Sequence, residues 1–459
     1  MLRKYKLYVS ILLIFMAQGT QATTGYFASG YGPKSTGMAG ATVASPQDAL
    51  AAASNPAGMA HVGERIDLGI KLFSPHREAS FGTTAIGSPV DVESESTREY
   101  FLIPSFGITR KISDKLWAGL SVYGNGGMNT SYKTNVYDQA LAAFFGAPPG
   151  SGTGTPDTGT LGVDLAQAIA APTLSFKIND KHTVGVSVLL AAQQFKARGL
   201  GNFQCFTPTG ANNNPAACAP GGFGPLTPGF IPSTKLTDNG HEWSFGAGVR
   251  GGWLGQVTDR VRLGVSAASK VYMTEFDDYR ELFAEQGGFD IPATVSAGIN
   301  FQATAELELI FDYEHIFYGD VDSIANPGPV ASPFGPAIPA GTGLLGTDNG
   351  LGFGWEDIDV YRFATVYQYN DKLILRAGYS YNDSPIPDDQ ILFNIIAPAV
   401  NKHHLTFGLT YAPHENGEWN IAYMHAFEEK QDVDVSAFGI PASIEMYQNA
   451  LEVGYSWKF

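Results

Sequence analysis

Near its C-terminus the chain alternates apolar Leu451, Val453, Tyr455, Trp457 and Phe459 with Glu452, Gly454, Ser456 and Lys458. A period of two predicts a strand with one apolar and one polar face. The same alternation runs through Trp243, Phe245, Ala247 and Val249, through Val261, Leu263, Val265 and Ala267, through Leu373, Leu375, Ala377, Tyr379 and Tyr381, and through Leu405, Phe407, Leu409 and Tyr411. The partner face is small or polar and often Gly, as expected where side chains meet a plug or a ligand. Strands read from alternation, with turns at Gly, Asn, Asp and Pro, number fourteen. They fall near 62–73, 98–110, 114–127, 169–178, 182–199, 240–254, 258–272, 291–303, 305–318, 357–369, 372–382, 402–412, 418–429 and 445–459. Short turns such as Lys111-Ile112-Ser113, Asn179-Asp180-Lys181 and Asn370-Asp371 alternate with long connections near 74–97, 128–168, 200–239, 273–290, 319–356, 383–401 and 430–444.

Composition decides what solvent those apolar faces meet. Only 16% of residues are charged, against about 25% in soluble domains, so something other than water faces much of the molecule. Mean hydropathy is nevertheless -0.05, and after residue 17 no run approaches the ~20 apolar residues of a spanning helix. A closed antiparallel barrel satisfies both, because its strands alternate and average near zero. An even strand number with short turns on one side and long loops on the other is the pattern of outer-membrane barrels. The terminal strand ending on Phe459 resembles the last strand of such barrels, the element through which the barrel-assembly machinery engages them. Outer-membrane lipid and lipopolysaccharide are then the expected surroundings, in a Gram-negative bacterium, and the expected state is monomeric.

At the other end Arg3, Lys4 and Lys6 precede the apolar run Leu7 to Ala17, and Thr20-Gln21-Ala22 offers small residues for cleavage, which reads as a secretory signal over 1–22. Its removal leaves 25 cations against 44 carboxylates, a net charge near -19. Such a balance repels phosphate backbones and argues against nucleic acid as a partner. Cys205 and Cys218 lie in a Gly/Pro/Asn-rich stretch of an exported chain, where an oxidised pair is expected, worth about 3 kcal/mol to that loop in the chain-entropy model. With no His nearby they supply too few ligands for a metal.

Residues 23–61 do not alternate and precede the barrel at 62–459. Ser45 as N-cap, Pro46 at the first helical position and Asp48 in the first turn predict a short helix over Ala49-Leu50-Ala51-Ala52-Ala53, ended by Asn55-Pro56. Gly37-Met38-Ala39-Gly40, Asp48-Ala49 and above all Asn55-Pro56-Ala57-Gly58-Met59 resemble the N-terminal hatch of FadL-type long-chain fatty acid and hydrocarbon transporters of the bacterial outer membrane. That resemblance implies a passive channel for hydrophobic molecules. Ligand is captured by apolar extracellular loops, passes to a pocket above the hatch (Asn55, Pro56, Ala57, Gly58), and leaves sideways through a kink in the third strand.

Several residues fit those roles on their own chemistry. The loops carry Leu141, Phe144 and Phe145; Phe223, Leu226, Phe230 and Ile231; Leu282, Phe283 and Phe289; and Leu344, Leu345, Leu351 and Phe353, which hydration alone does not favour. Gly124-Asn125-Gly126-Gly127 interrupts the third strand, as a bulge or an early strand end would. With a bulge there, the hatch near Asn55-Pro56-Ala57 is expected to cover it. By alternation Arg250, Arg362 and Arg376 point inward and could pair with a carboxylate ligand or with inward Glu306, Glu308 or Asp312. Catalysis is not expected, since no G-x-S-x-G occurs and Gly350-Leu351-Gly352-Phe353-Gly354 lacks the Lys and helix of a phosphate cradle; no cofactor or metal is called for. A porin for polar solutes is the alternative, but a porin has no use for residues 23–61.

Overall fold

The computed structural model describes residues 24–82, 92–145, 159–219, 224–332 and 336–459; the signal at 1–22 lies outside them. Fourteen antiparallel strands form one ring: β1 Arg65–Phe81, β2 Phe101–Lys111, β3 Leu116–Asn129, β4 Gly162–Lys177, β5 His182–Arg198, β6 Glu242–Thr258, β7 Val261–Ala268, β8 Thr294–Gln302, β9 Leu307–Ile316, β10 Ile358–Asn370, β11 Leu373–Asn382, β12 His403–His414, β13 Gly417–Val433 and β14 Ala442–Lys458. Each pairs with its sequence neighbours, and β14 closes on β1 from Lys458 opposite Arg65 to Ala442 opposite Phe81. Closure leaves no strand without a neighbour on each side, as a sheet in hydrocarbon requires. Two short pieces pair outside the ring, Val92–Glu95 with the end of β1 and Tyr272–Met273 with β6.

Alternation sorts side chains between two environments. Leu68, Ile70 and Leu72 on β1, Val184, Val186, Val188 and Leu190 on β5, and Leu451 and Trp457 on β14 are exposed, whereas Asp67, Lys71, Glu452 and Ser456 are buried. That inversion of the soluble pattern is the apolar belt of a membrane barrel. Two strands extend beyond the sequence expectation. β1 runs to Phe81 instead of stopping near 73, and β4 starts at Gly162 instead of near 169. The outward residues of the added stretch are polar in β1 (His76, Glu78, Ser80) and small or polar in β4 (Asp164, Ala166, Ala168), so the strong apolar signal stops while the hydrogen-bond ladder continues.

Residues 24–61 lie inside the ring and are bonded to it on every side. Ala49 N donates to Asp67 Oδ2 on β1 (2.8 Å), Val43 N to Asp312 Oδ2 on β9 (2.8 Å), and Ala39 N to Thr406 Oγ1 on β12 (3.0 Å). Ser175 on β4 donates to Ala57 O (3.0 Å), and Thr36 donates to Glu452 Oε2 on β14 (2.7 Å). Inner-wall glycines make the room: a Cβ on Gly107 would sit 2.7 Å from the Ala49 carbonyl, and one on Gly378 would crowd Met38 and Ala39. The helix expected after Ser45 is instead a 3₁₀ turn, Ala51–Ala53. Ser45 faces the wall, within hydrogen-bond reach of Asn300 and Glu308, so it caps nothing. Asn55 is the cap actually formed, its side chain accepting from Ala57 N at the start of the 3₁₀ helix Pro56–His61.

Candidate functional site

Apolar loop residues converge on one cavity at the long-loop end of the barrel. Phe195, Phe203, Leu282, Phe283, Leu351 and Phe353 line it, and Phe289 packs against Phe283 with its ring tilted and the centroids 4.8 Å apart. Loops from distant parts of the chain are tied together around it. Tyr132 donates to Ile395 O (2.9 Å) and Tyr137 to Leu392 O (2.6 Å); burial raises both hydroxyl pKa values, keeping them donors. Of the expected capture residues, Leu282, Phe283 and Phe289 meet here. Phe230 does not: it is half-buried in the stretch near the Cys205–Cys218 disulfide, beside Ile231, which is exposed. Phe223 and the side chains of Leu141, Phe144, Phe145 and Leu226 lie outside the described residues.

An aromatic partition separates this cavity from a second one in the lumen. Phe353, Trp355, Tyr26 and Phe27 follow one another at centroid spacings of 6.2, 6.0 and 5.2 Å, and Tyr318 donates its hydroxyl to Thr24 O (2.7 Å). The lower cavity is bounded by Phe27, Tyr31, Asn125, Arg250, Glu314 and Arg362, and its free volume of about 40 Å³ suits a few waters or a small polar head group.

The third strand bulges within its Gly-rich stretch. The β3–β4 register shifts between Gly124 and Gly126, so Asn125 is the extra residue. The β2–β3 ladder stops at Phe106 opposite Val122, although β2 continues to Phe101 along β1 and β3 continues to Asn129 along β4. Pairing resumes only higher, where Thr97 N donates to Ser131 O (3.0 Å) and Ser96 bridges Tyr132. Between these two frames is a window in the wall. The N-terminal segment covers it, and it is Tyr26–Ala28 that does so: Ala28 N donates to Asn125 O and Gly127 N to Tyr26 O, both at 3.0 Å. Asn55, Pro56, Ala57 and Gly58 are elsewhere, which corrects the sequence expectation. Asn55 donates to Trp253 O (2.9 Å) and Val43 O (2.9 Å), and Pro56 and Ala57 fill the room left by Gly185 on β5 and Gly252 on β6. A motif can be read from sequence, but the wall it meets cannot.

The three candidate arginines have separate fates. Arg362 pairs with Glu314 at 2.6 Å and with none of the expected carboxylates, because Glu308 and Asp312 serve Asn300 and Val43 and Glu306 is exposed at a short turn. Arg376 is apart from the lumen cavity, held by Gln47 Oε1 (3.0 Å) and Thr410 Oγ1 (2.7 Å). Arg250 lines the cavity and donates to the Ala52 and Ala53 carbonyls; among the described residues no carboxylate lies within 4 Å of it. Its charge therefore meets carbonyl dipoles and the Tyr123 side chain, with Glu314 on the same cavity wall. Sequence reasoning passed over Tyr26, Phe27 and Trp355 of the partition, since aromatic residues outside an alternating run give no signal of where they meet.

Across residues 13–453 the chain matches the family model of outer membrane protein transport proteins (OMPP1/FadL/TodX). A long-chain fatty acid transport protein from Escherichia coli O6:H1 (strain CFT073) is 37% identical over 76 residues; the match spans 16% of this chain and 17% of that protein's length. Among solved structures, the toluene transporter TodX of P. putida superposes with a TM-score of 0.62 at 20% identity, over 94% of this chain and 99% of that one. A FadL homologue from Pseudomonas aeruginosa gives 0.66 at 16% identity, over 95% and 100%, and the toluene transporter TbuX of Ralstonia pickettii gives 0.61 at 18%, over 94% and 99%. At these identities the structures share the fold.

Proposed function

The chain belongs to the outer membrane protein transport family (OMPP1/FadL/TodX), and we propose that it is a passive uptake channel for long-chain fatty acids, which the loop cavity captures and the β2–β3 window releases sideways into lipid. Family membership and the apolar belt place it in the outer membrane of a Gram-negative bacterium.

The window carries the reading. Unpaired backbone facing hydrocarbon costs several kcal/mol per group, and on the β3 side Tyr26–Ala28 meet that cost from inside by bonding Asn125 O and Gly127 N. A residue chain that can leave without breaking the ring's own ladder makes a gate. The lumen below is filled by residues 24–61, which argues against a water-filled passage straight through. Fatty acids are favoured over neutral hydrocarbons by Arg250, whose buried charge a carboxylate would balance. Such an acid would enter apolar tail first among Phe283, Phe289 and Phe353, then cross the aromatic partition.

A reversible cross-link tests the exit. A Cβ on Gly124 would lie 2.8 Å from Ile103 Cγ2 across the window, so Ile103→Cys with Gly124→Cys should form a disulfide that staples it shut. Oleate uptake should collapse in the oxidised variant and return on reduction, with the wild type unaffected by the reductant. Undiminished uptake through the stapled barrel would move the exit to the periplasmic end.

A further inference from the structure

Among the described residues, three of the six buried cations of the inner wall have a carboxylate within reach, and Arg250 and Arg376 are instead held by carbonyl, amide and hydroxyl oxygens. Arg65 has Asp67 and Glu418, Lys71 has Glu452, and Arg362 has Glu314. Arg77, inward-facing on β1 and 4% exposed, does not: among the described residues no carboxylate lies within 4 Å of it. Its guanidinium donates to Ser96 Oγ (2.7 Å) and to the Arg98 carbonyl, and its Nε finds no acceptor. The nearby Glu99 is turned toward His76 (3.9 Å). A second, paired cation stands beside Arg77. Arg77 and Arg98 both stand over the Phe101 ring, at 5.9 and 5.4 Å from its centroid; Arg98 is bonded to Asp164 (2.5 Å), whereas Glu99 acts on Arg77 only from beyond 4 Å.

Arg77 sits at the window, and on its other side it borders a cavity that Glu78, Glu95, Glu99 and Glu445 also line. Ser96 and Arg98 belong to the window's upper frame, and Arg77 shares a small cavity with Gly127, Met128 and Asn129 of the unpaired β3 edge. Beneath it Phe73, Phe101 and Ile103 form an apolar cluster. One guanidinium without a paired anion, one hydroxyl and an adjoining apolar strip together have the form of an amphiphilic carboxylate.

We propose that Arg77 is a carboxylate station at the lateral window: the head group of a departing fatty acid pairs with the guanidinium beside the Ser96 hydroxyl, while its chain lies along Phe73, Phe101 and Ile103. The station makes the window selective for acids over neutral chains of equal length, and this rests on the sideways release argued above. Arg77 then shields the head group from hydrocarbon at the step where desolvation is most costly.

The test compares flux of oleate with flux of oleyl alcohol in proteoliposomes carrying wild type, Arg77→Gln, Arg77→Lys or the Ile103→Cys/Gly124→Cys staple. Losing one charge-assisted pair should reduce oleate flux about tenfold in Arg77→Gln, leave the alcohol within about twofold, and spare oleate in Arg77→Lys. Equal loss of both ligands would make Arg77 a strut for the upper frame, and no loss of either would remove the station; each result overturns the proposal. Anionic lipid head groups offer the same chemistry, so the split must persist in bilayers of phosphatidylcholine alone. Its disappearance there would assign Arg77 to lipid and sink the proposal. The staple separates the two inferences: if it passes both ligands, the window itself is not the exit, whatever Arg77 does.

Discussion

At the residue scale, single atoms decide whether the N-terminal segment stays seated. The Asn55 side chain makes three hydrogen bonds, to Val43 O, Trp253 O and Ala57 N, linking the segment to itself and to β6. Each is worth about 0.5–1.5 kcal/mol net, so Asn55→Ala should loosen the segment by a few kcal/mol. Limited proteolysis of folded protein should then cut within 24–61 while heat-modified mobility of the barrel stays at the wild-type temperature; a lowered barrel melting point would show that Asn55 supports the ring instead. Gly126 acts at the window. Any Cβ there would collide with the Tyr26 carbonyl, so Gly126→Val should displace Tyr26 and Phe27 from β3 without straightening the strand. A cysteine at Phe27 should react with a water-soluble thiol reagent in that variant and stay protected in its parent, and equal protection would mean the segment yields elsewhere.

At the scale of elements, legibility followed the solvent. Wherever a strand borders lipid, apolar and polar residues alternate, and all fourteen strands were visible for that reason. Where β1 and β4 rise above the lipid the outward residues become polar or small and the pattern dissolves, although the ladder goes on. The bulge was visible as Gly124-Asn125-Gly126-Gly127, because glycine in a strand interior needs a reason. What covers it was not: Tyr26–Ala28 reach it through a register no local pattern encodes, and Arg77 drew no notice because Pro75 and Arg77 read as a loop. Deleting Asn125 should restore one-to-one pairing of β3 with β4, draw β3 toward β2 and reduce uptake while leaving thermal stability equal or higher; unchanged uptake would detach the bulge from transport. The bridged loop is a separate element. Cys205→Ser with Cys218→Ser should raise protease cleavage between 200 and 239 and leave the barrel's melting unchanged, since its ladder closes without that bond.

At the scale of the whole molecule, the segment and the ring are joined by a charge network next to the seam where the barrel closes. Glu418 on β13 receives Lys34 of the segment, Arg65 of β1 (2.6 Å) and Lys458 of β14 (2.6 Å), and Arg65 also holds Asp67 (2.7 Å). One buried carboxylate therefore balances three cations from three parts of the chain. Removing its charge leaves Arg65 with Asp67 and Lys458 with solvent, but takes from buried Lys34 its only ion-pair partner among the described residues, which for buried pairs costs about 3–5 kcal/mol, whereas β13, β14 and β1 remain joined by long ladders. The cost should thus fall on the segment, the one partner not held by strand pairing. Wild-type protein in planar bilayers should conduct poorly, because the lumen cavity admits little more than a few waters, and Glu418→Gln should show frequent, larger openings as residues 24–61 leave their seat. Uptake of fatty acid need not rise with conductance, since an open lumen passes ions but loses the surface that guides an apolar chain toward the window. Steady large conductance in the wild type would favour a porin, and unchanged conductance in Glu418→Gln would show that the backbone bonds of the segment hold it without the charges.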